Sequence, residues 1–173
     1  MDMKNSIAAV AASVTLMLSA CTQLPTDPFT GSYTFKTSGT VTVTVEADTP
    51  VVDPDAIPLG SNVFELTPEA GRMDIRASGN DTMVVSMNVL GGDVQVFEAK
   101  LTPGGFRLLP ATRMLRVNVL PPLEVRVSGE ASMLDGILYL KLEYTGARTV
   151  VSSVTYSITA SDVICVATKN QTR

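Results

Sequence analysis

The sequence contains no histidine and no tryptophan, and only two of its 173 residues are cysteines. Without histidine, these residues cannot form a Ser-His-Asp triad, a histidine general base or a histidine metal site. Serine-lysine catalysis also lacks its usual Ser-x-x-Lys spacing. The remaining carboxylates lie beside lysines and arginines in strand-like segments. This arrangement is typical of cross-strand ion pairs on a solvent-exposed face of a sheet. We therefore expect a protein that is not an enzyme and that holds no cofactor and no metal.

Basic residues are outnumbered, with 13 lysines and arginines against 17 acidic residues and a net charge of −4. The two signs are interspersed along the chain, so no basic face is expected. This balance argues against a nucleic-acid partner. Cys165 lies in the apolar segment Val163–Ala167, where a cysteine is usually a small core residue. We expect no disulfide.

The chain begins with a short charged segment followed by apolar and small residues from Ile7 to Ala20. This run is too short to cross a bilayer as a helix, which needs about 20 residues. Its length and its small-residue end are typical of a secretory signal peptide. Translation could start at Met1 or at Met3, because Asp2 offsets the charge of Lys4.

The apolar run ends in Leu18-Ser19-Ala20-Cys21, which resembles the lipobox of bacterial lipoproteins. The resemblance implies cleavage between Ala20 and Cys21 and attachment of palmitate-type acyl chains to Cys21. The protein would then bind membrane lipid through the acylated Cys21, since two or more chains anchor stably. The alternative is an ordinary signal peptide that ends at Ser19-Ala20, with a cysteine there by chance.

Three segments follow from this interpretation. Residues 1–20 are the signal peptide, residues 21–30 are the lipidated cysteine and a proline-containing tether, and residues 31–173 form one domain. The resemblance further implies an outer-membrane lipoprotein of the cell envelope that faces the periplasm. Thr22 is not the aspartate that retains some lipoproteins in the inner membrane, and the first acidic residue, Asp27, comes late for export to the surface.

The body of the chain alternates apolar and polar residues with the period of a β-strand. Val41, Val43 and Val45 alternate with threonines in one long strand, for which we expect a bend at Ser38-Gly39. The clearest hairpin runs from 123 to 144 and turns at Asp135-Gly136, a dipeptide that tolerates positive φ. The pattern predicts an all-β fold: an antiparallel up-and-down barrel of about eight to ten strands, or alternatively a β-sandwich.

Two short motifs are similar to those of the calycin-like β-barrel lipoproteins of gut anaerobic bacteria. Gly31-Ser32-Tyr33 opens the first long strand, and Ser128-Gly129 precedes the segment 135–140, Asp-Gly-Ile-Leu-Tyr-Leu. The lipobox lies just upstream. The resemblance covers most of residues 30–144 and implies a calycin-like barrel. That family mostly has no assigned function, so the resemblance implies a fold and leaves the activity open.

Seven large side chains are candidates for lining an apolar cavity inside the barrel. Methionine adapts to ligands of varied shape, and three methionines share one strand parity; the full set is Tyr33, Phe35, Met73, Met83, Met87, Phe97 and Phe106. The alternative is a filled core, because small barrels have little interior space. Two functions remain open: binding of a small apolar ligand in or at the mouth of the barrel, or docking of a protein or glycan partner as an envelope scaffold.

Overall fold

A computed structural model of the protein describes residues 28–47, 57–117, 119–146 and 149–170. The predicted signal peptide, Cys21 and the tether as far as Asp27 lie outside these residues. The described part contains strands and turns without a helix, and therefore no helix that could cross a membrane. Its ten strands are β1 (Gly31–Ala47), β2 (Gly60–Glu65), β3 (Ala70–Ala77), β4 (Thr82–Val89), β5 (Val94–Thr102), β6 (Gly105–Leu115), β7 (Leu123–Leu134), β8 (Ile137–Gly146), β9 (Thr149–Val151) and β10 (Val154–Lys169).

Eight of these strands close into an antiparallel barrel. The order around the ring is β1-β3-β4-β5-β6-β7-β8-β10, and β10 pairs back with β1. The ladder between β1 and β10 runs from Tyr33↔Lys169 to Ala47↔Val154. The prediction of an all-β up-and-down barrel is confirmed, and the closing ladder replaces the alternative of a β-sandwich.

The other two strands extend one side of the barrel beyond its rim. The first part of β1 pairs with β3, whereas residues 40–45 pair with β2. In the same way, β10 pairs with β8 through residues 163–168 and with β9 through residues 154–156. The change of partner in β1 lies at Gly39, which has φ +150°. A Cβ there would meet the backbone of Asp162 and would lie 2.6 Å from the Cα of Val163, so only glycine lets β10 approach this closely.

The core is built by the alternation that the sequence shows. In β7, Leu123, Val125 and Val127 are buried and the residues between them are exposed. In β8, Leu138, Leu140 and Leu142 are buried in the same manner. The hairpin between them turns at Asp135 (φ +50°) and Gly136 (φ +77°), a conformation that matches the right-handed twist of the two strands. The sequence predicted this hairpin, its turn and its inward face correctly.

One end of the barrel is closed and the other is open. The closed end carries the turns at 78–81, 103–104 and 135–136. Phe29, which the sequence analysis assigned to the tether, is buried there, and its ring meets that of Phe106 edge-on at 5.6 Å. The Tyr33 hydroxyl donates a hydrogen bond of 2.8 Å to the carbonyl of Phe29. The opposite end, which we call the mouth, is surrounded by the segments 66–69, 90–93, 116–117 and 119–122.

Candidate functional site

The seven side chains predicted to line a cavity all belong to the packed core. Each is at most 3% exposed, and together with the neighbouring aliphatic residues they fill the bore below the mouth: Tyr33, Phe35, Met73, Met83, Met87, Phe97 and Phe106. Met73 and Met87 are direct register partners on β3 and β4. None of the seven lines the cavity described next. They contribute packing to the interior of the barrel and to its closed end.

A cavity of about 850 Å³ opens at the mouth, and we call it the mouth cavity. Its apolar floor includes Val125, Val127 and Val163, which point inward from β7 and β10. Its rim is formed by the segments 66–69 and 90–93 and by the end of β6. This volume lies within the range of small-molecule sites, which are concave, largely apolar and furnished with a few polar groups.

The wall of the mouth cavity is split between β5 and β6. The ladder between these strands begins at the closed end with Thr102↔Gly105 and stops at Ala99↔Leu108. Both strands continue to the mouth, but residues 94–98 and 109–115 do not pair with each other. We call this separation the β5–β6 split. It leaves backbone groups of β5 without their usual ladder partners on that side.

Arg113 bridges the β5–β6 split. Its Nη2 donates a hydrogen bond to the carbonyl of Val96 on β5, and its Nη1 donates one of 2.8 Å to the carbonyl of Thr112. The guanidinium carbon lies 4.7 Å from the centroid of the buried Phe97 ring, a cation–π contact. The Nε of Arg113 is buried and has no hydrogen-bond partner. A cation is therefore held in the barrel wall by neutral groups alone.

The inward direction of Arg113 follows from an irregularity in β6. The register with β7 shifts between Leu108 and Ala111, where β6 advances three residues and β7 only two, so β6 contains one extra residue and forms a bulge. Before this bulge Phe106 and Leu108 point inward; after it Ala111, Arg113 and Leu115 do. The sequence analysis missed Arg113. The signal was present, because Arg113 shares its parity with the apolar Leu115 and Val117.

Glu69 faces the cavity from another wall, at the junction of β1 and β3. Its backbone is fixed to Thr37 of β1: the Thr37 amide donates to the Glu69 carbonyl at 2.7 Å, and the Glu69 amide donates to Thr37 Oγ1 at 3.1 Å. The residue as a whole is exposed at the rim, and the protein atoms around its carboxyl raise its pKa by partial burial.

The charge of Glu69 raises the pKa of two inward-facing groups, the Tyr144 hydroxyl and the Cys165 thiol. Burial raises the pKa of Tyr144 to about 12, and the Glu69 carboxylate adds to this rise. Burial likewise raises the pKa of the Cys165 thiol to about 12, again with a contribution from Glu69. Since Cys165 is fully buried, its thiol stays protonated and unreactive at neutral pH. The Glu69 wall is thus a region where negative charge is poorly solvated.

Four charged residues line the mouth cavity: Glu69, Asp93, Arg113 and Arg116. In the described part of the chain, the ion pairs within 4 Å are Arg72–Asp74 and Arg107–Glu130, and both lie on the outer face of the barrel. The charges of the mouth cavity are therefore without counter-ions among the described residues. The same residues place no group of three or more acidic or cysteine side chains around a possible metal position.

No protein-family model matches this chain, and no curated protein matches it.

Proposed function

We propose that the protein is a membrane-anchored binding protein of the bacterial cell envelope and that it takes a small amphipathic ligand in the mouth cavity. The observation that supports this proposal is the contrast between the two ends of the barrel. The closed end is filled by Phe29 and Phe106, while the mouth holds about 850 Å³ of space above an apolar floor. A barrel of eight strands has an interior of the size that holds one small ligand.

The position of the N-terminus supports a particular orientation on the membrane. Phe29 is packed at the closed end, so the described residues 28–30 enter the barrel from that side. The residues between Cys21 and Gly31 reach at most roughly 30 Å when extended. An acyl anchor at Cys21 would therefore hold the closed end towards the lipid and direct the mouth into the surrounding aqueous compartment. We place that compartment in the periplasm, with the anchor in the outer membrane.

The experiment that tests ligand binding compares two neighbouring residues of β7. Val127 lines the mouth cavity, and Arg126 points outward beside it. The probe is the amphipathic dye 1-anilinonaphthalene-8-sulfonate, an aromatic anion whose fluorescence is followed with the folded protein. Val127→Trp fills the cavity and should abolish dye binding, whereas Arg126→Trp should leave it unchanged. Equal dye binding by the two variants, both melting cooperatively, would overturn the proposal.

A docking role is the second candidate, and one surface favours it. Val94 and Val96 are each about half exposed, and they lie on the outer side of β5 beside the β5–β6 split. Exposed apolar patches mark interaction sites when they are contiguous. If a partner docks here, Val94→Asp with Val96→Asp should abolish chemical crosslinking to an envelope component while leaving the dye in the mouth cavity. Unchanged crosslinking would exclude this surface.

A further inference from the structure

The charges of the mouth cavity are arranged on separate walls. Glu69 is held at the junction of β1 and β3 through Thr37. Arg113 lies at the junction of β5 and β6 through Val96. Around the ring, β4 separates these junctions on one side, and β7, β8 and β10 separate them on the other. Glu69 and Arg113 therefore face the same bore from different walls, and Asp93 and Arg116 line it next to the mouth ends of β5 and β6.

The surface between the two walls combines aliphatic side chains with the ring and hydroxyl of Tyr144 on β8. Val125 and Val127 lie on β7 and Val163 lies on β10, all inward and all lining the mouth cavity. These strands form the longer arc between Arg113 and Glu69. A ligand that touches both charged groups must therefore carry an apolar middle part, since a polar one would lose its hydration against valine side chains.

Neither the Arg113 guanidinium nor the Glu69 carboxylate has a partner of opposite charge among the described residues. Arg113 donates its observed hydrogen bonds to two neutral carbonyls, and its Nε has no partner. A guanidinium carries five N–H donors in a fork that fits a carboxylate. Glu69 is partly desolvated, and no cationic side chain of the described residues lies within 4 Å of it. A poorly solvated charge gains most from a ligand group of opposite sign.

We propose that the mouth cavity selects a small zwitterion with an apolar middle, namely a short hydrophobic peptide with free termini. Its α-ammonium group pairs with Glu69, its carboxylate pairs with Arg113, and its side chains lie on Val125, Val127 and Val163. An extended tripeptide spans roughly 10 Å, a length suited to crossing the bore of a small barrel. This inference rests on the proposed function, because it names the ligand of the same cavity.

Isothermal titration calorimetry with three forms of one peptide tests the proposal. Leu-Ala-Leu with free termini should bind, and its N-acetylated and C-amidated forms should each bind at least about ten-fold more weakly, since each loses one charge-assisted pair. Arg113→Gln should remove the preference for the free carboxylate and keep the preference for the free amine. Glu69→Gln should do the opposite. Arg107→Gln, which breaks an ion pair on the outer face, should change neither preference.

The outcomes separate this inference from the proposed function. If the dye enters the wild-type mouth cavity and Val127→Trp excludes it, but the three peptide forms bind equally or none binds, only the zwitterion assignment fails. If the dye itself ignores Val127→Trp, the binding function fails with it. Should Arg113→Gln fail to fold, the comparison of capped and free peptides on the wild-type protein still decides, and Arg113→Lys supplies a charge-retaining variant.

Discussion

The guanidinium of Arg113 on β6 donates a hydrogen bond to the backbone carbonyl of Val96 on β5, at a height where the two strands no longer pair. A side chain thus takes the place of ladder hydrogen bonds in the barrel wall. Hydrogen bonds that involve a charged group contribute about 1.5–3 kcal/mol, so this contact is a main tie across the β5–β6 split.

Replacement of Arg113 by methionine keeps the aliphatic stem and removes the donors. We expect backbone amides of residues 94–98 to exchange with solvent faster, because the upper half of β5 loses its tie and opens locally. Hydrogen–deuterium exchange measured by mass spectrometry follows this segment directly, and the β7–β8 hairpin is the internal control. Unchanged protection of residues 94–98 would show that Arg113 does not hold the split.

Leu140 and Lys141 are neighbours in β8, and their side chains point to opposite faces of the strand. Leu140 is fully buried, and Lys141 is exposed. Leu140→Ala should lower the free energy of unfolding by about 2–5 kcal/mol through loss of buried surface and creation of a cavity, whereas Lys141→Ala should stay within about 0.5 kcal/mol. Urea denaturation of both variants measures the difference. Similar midpoints would mean that the assigned inward and outward faces of β8 are wrong.

Substitutions at Gly136 measure the cost of backbone strain without a contribution from steric crowding. Its φ is +77°, yet a Cβ added to it would meet nothing within 4 Å. Gly136→Val should therefore cost about 1–2 kcal/mol through the left-handed backbone alone, and Gly136→Asn should cost less, because asparagine tolerates this region. Thermal melts of the two variants give the comparison. A larger decrease in the melting temperature for Gly136→Asn than for Gly136→Val would contradict this account.

Alkaline pH should weaken the fold through Tyr144 and Cys165. The Cys165 thiol ionises near its ordinary value of 9.0 in the unfolded chain but near 12 in the folded one. Above pH 9 the unfolded state therefore binds fewer protons than the native state, and stability falls as pH rises towards 12. The slope is on the order of 1.4 kcal/mol per pH unit for one such group. Urea unfolding at pH 7 to 11 measures it.

The thiol itself supplies a second measurement of the same burial. A buried, protonated thiol is a poor nucleophile. A chromogenic aromatic disulfide should therefore modify Cys165 only after the barrel unfolds. In protein whose Cys21 is replaced by serine, labelling should follow the unfolding curve. Rapid labelling of the folded protein at pH 8 would show that Cys165 is accessible.

Lipidation is tested at Cys21 in the native host. We expect mass spectrometry of the membrane fraction to find a chain that starts at Cys21 and carries acyl chains, and Cys21→Ser to release the protein from the membrane. An intact N-terminus would contradict the lipobox assignment. Protease treatment of whole cells then decides the compartment: a periplasmic domain survives it, and a surface-exposed one is digested.

The sequence predicted the parts of the fold that depend on alternation within one strand. The hairpin of β7 and β8 is the clearest case. In the segments 123–127 and 138–142 every second residue is apolar, and this alternation alone predicts which side chains point inward. The predicted strand number also agrees with the ten strands of the structure. Closure of the ring depends on the β1–β10 ladder, which joins residues far apart in the chain.

The residues that line the mouth cavity were beyond prediction for a related reason. Alternation fixes which way a side chain points, but it does not fix how far two neighbouring strands stay paired. The end of the β5–β6 ladder at Ala99↔Leu108 and the bulge after Leu108 are properties of strand pairs. Together they open the wall and turn Arg113 inward. Glu69 was missed because it precedes a strand and reaches the bore through its contacts with Thr37.

The β1–β10 ladder also sets how the barrel would respond to a mechanical load. Its first pair, Tyr33↔Lys169, lies at the closed end, where both ends of the described chain leave the barrel. A force that pulls these ends apart loads the hydrogen bonds one after another, as in a zipper, instead of shearing all of them at once. Forced unfolding follows the height of the barrier and not the equilibrium stability. The barrel should therefore open at low force along this ladder, even where its core resists heat and urea.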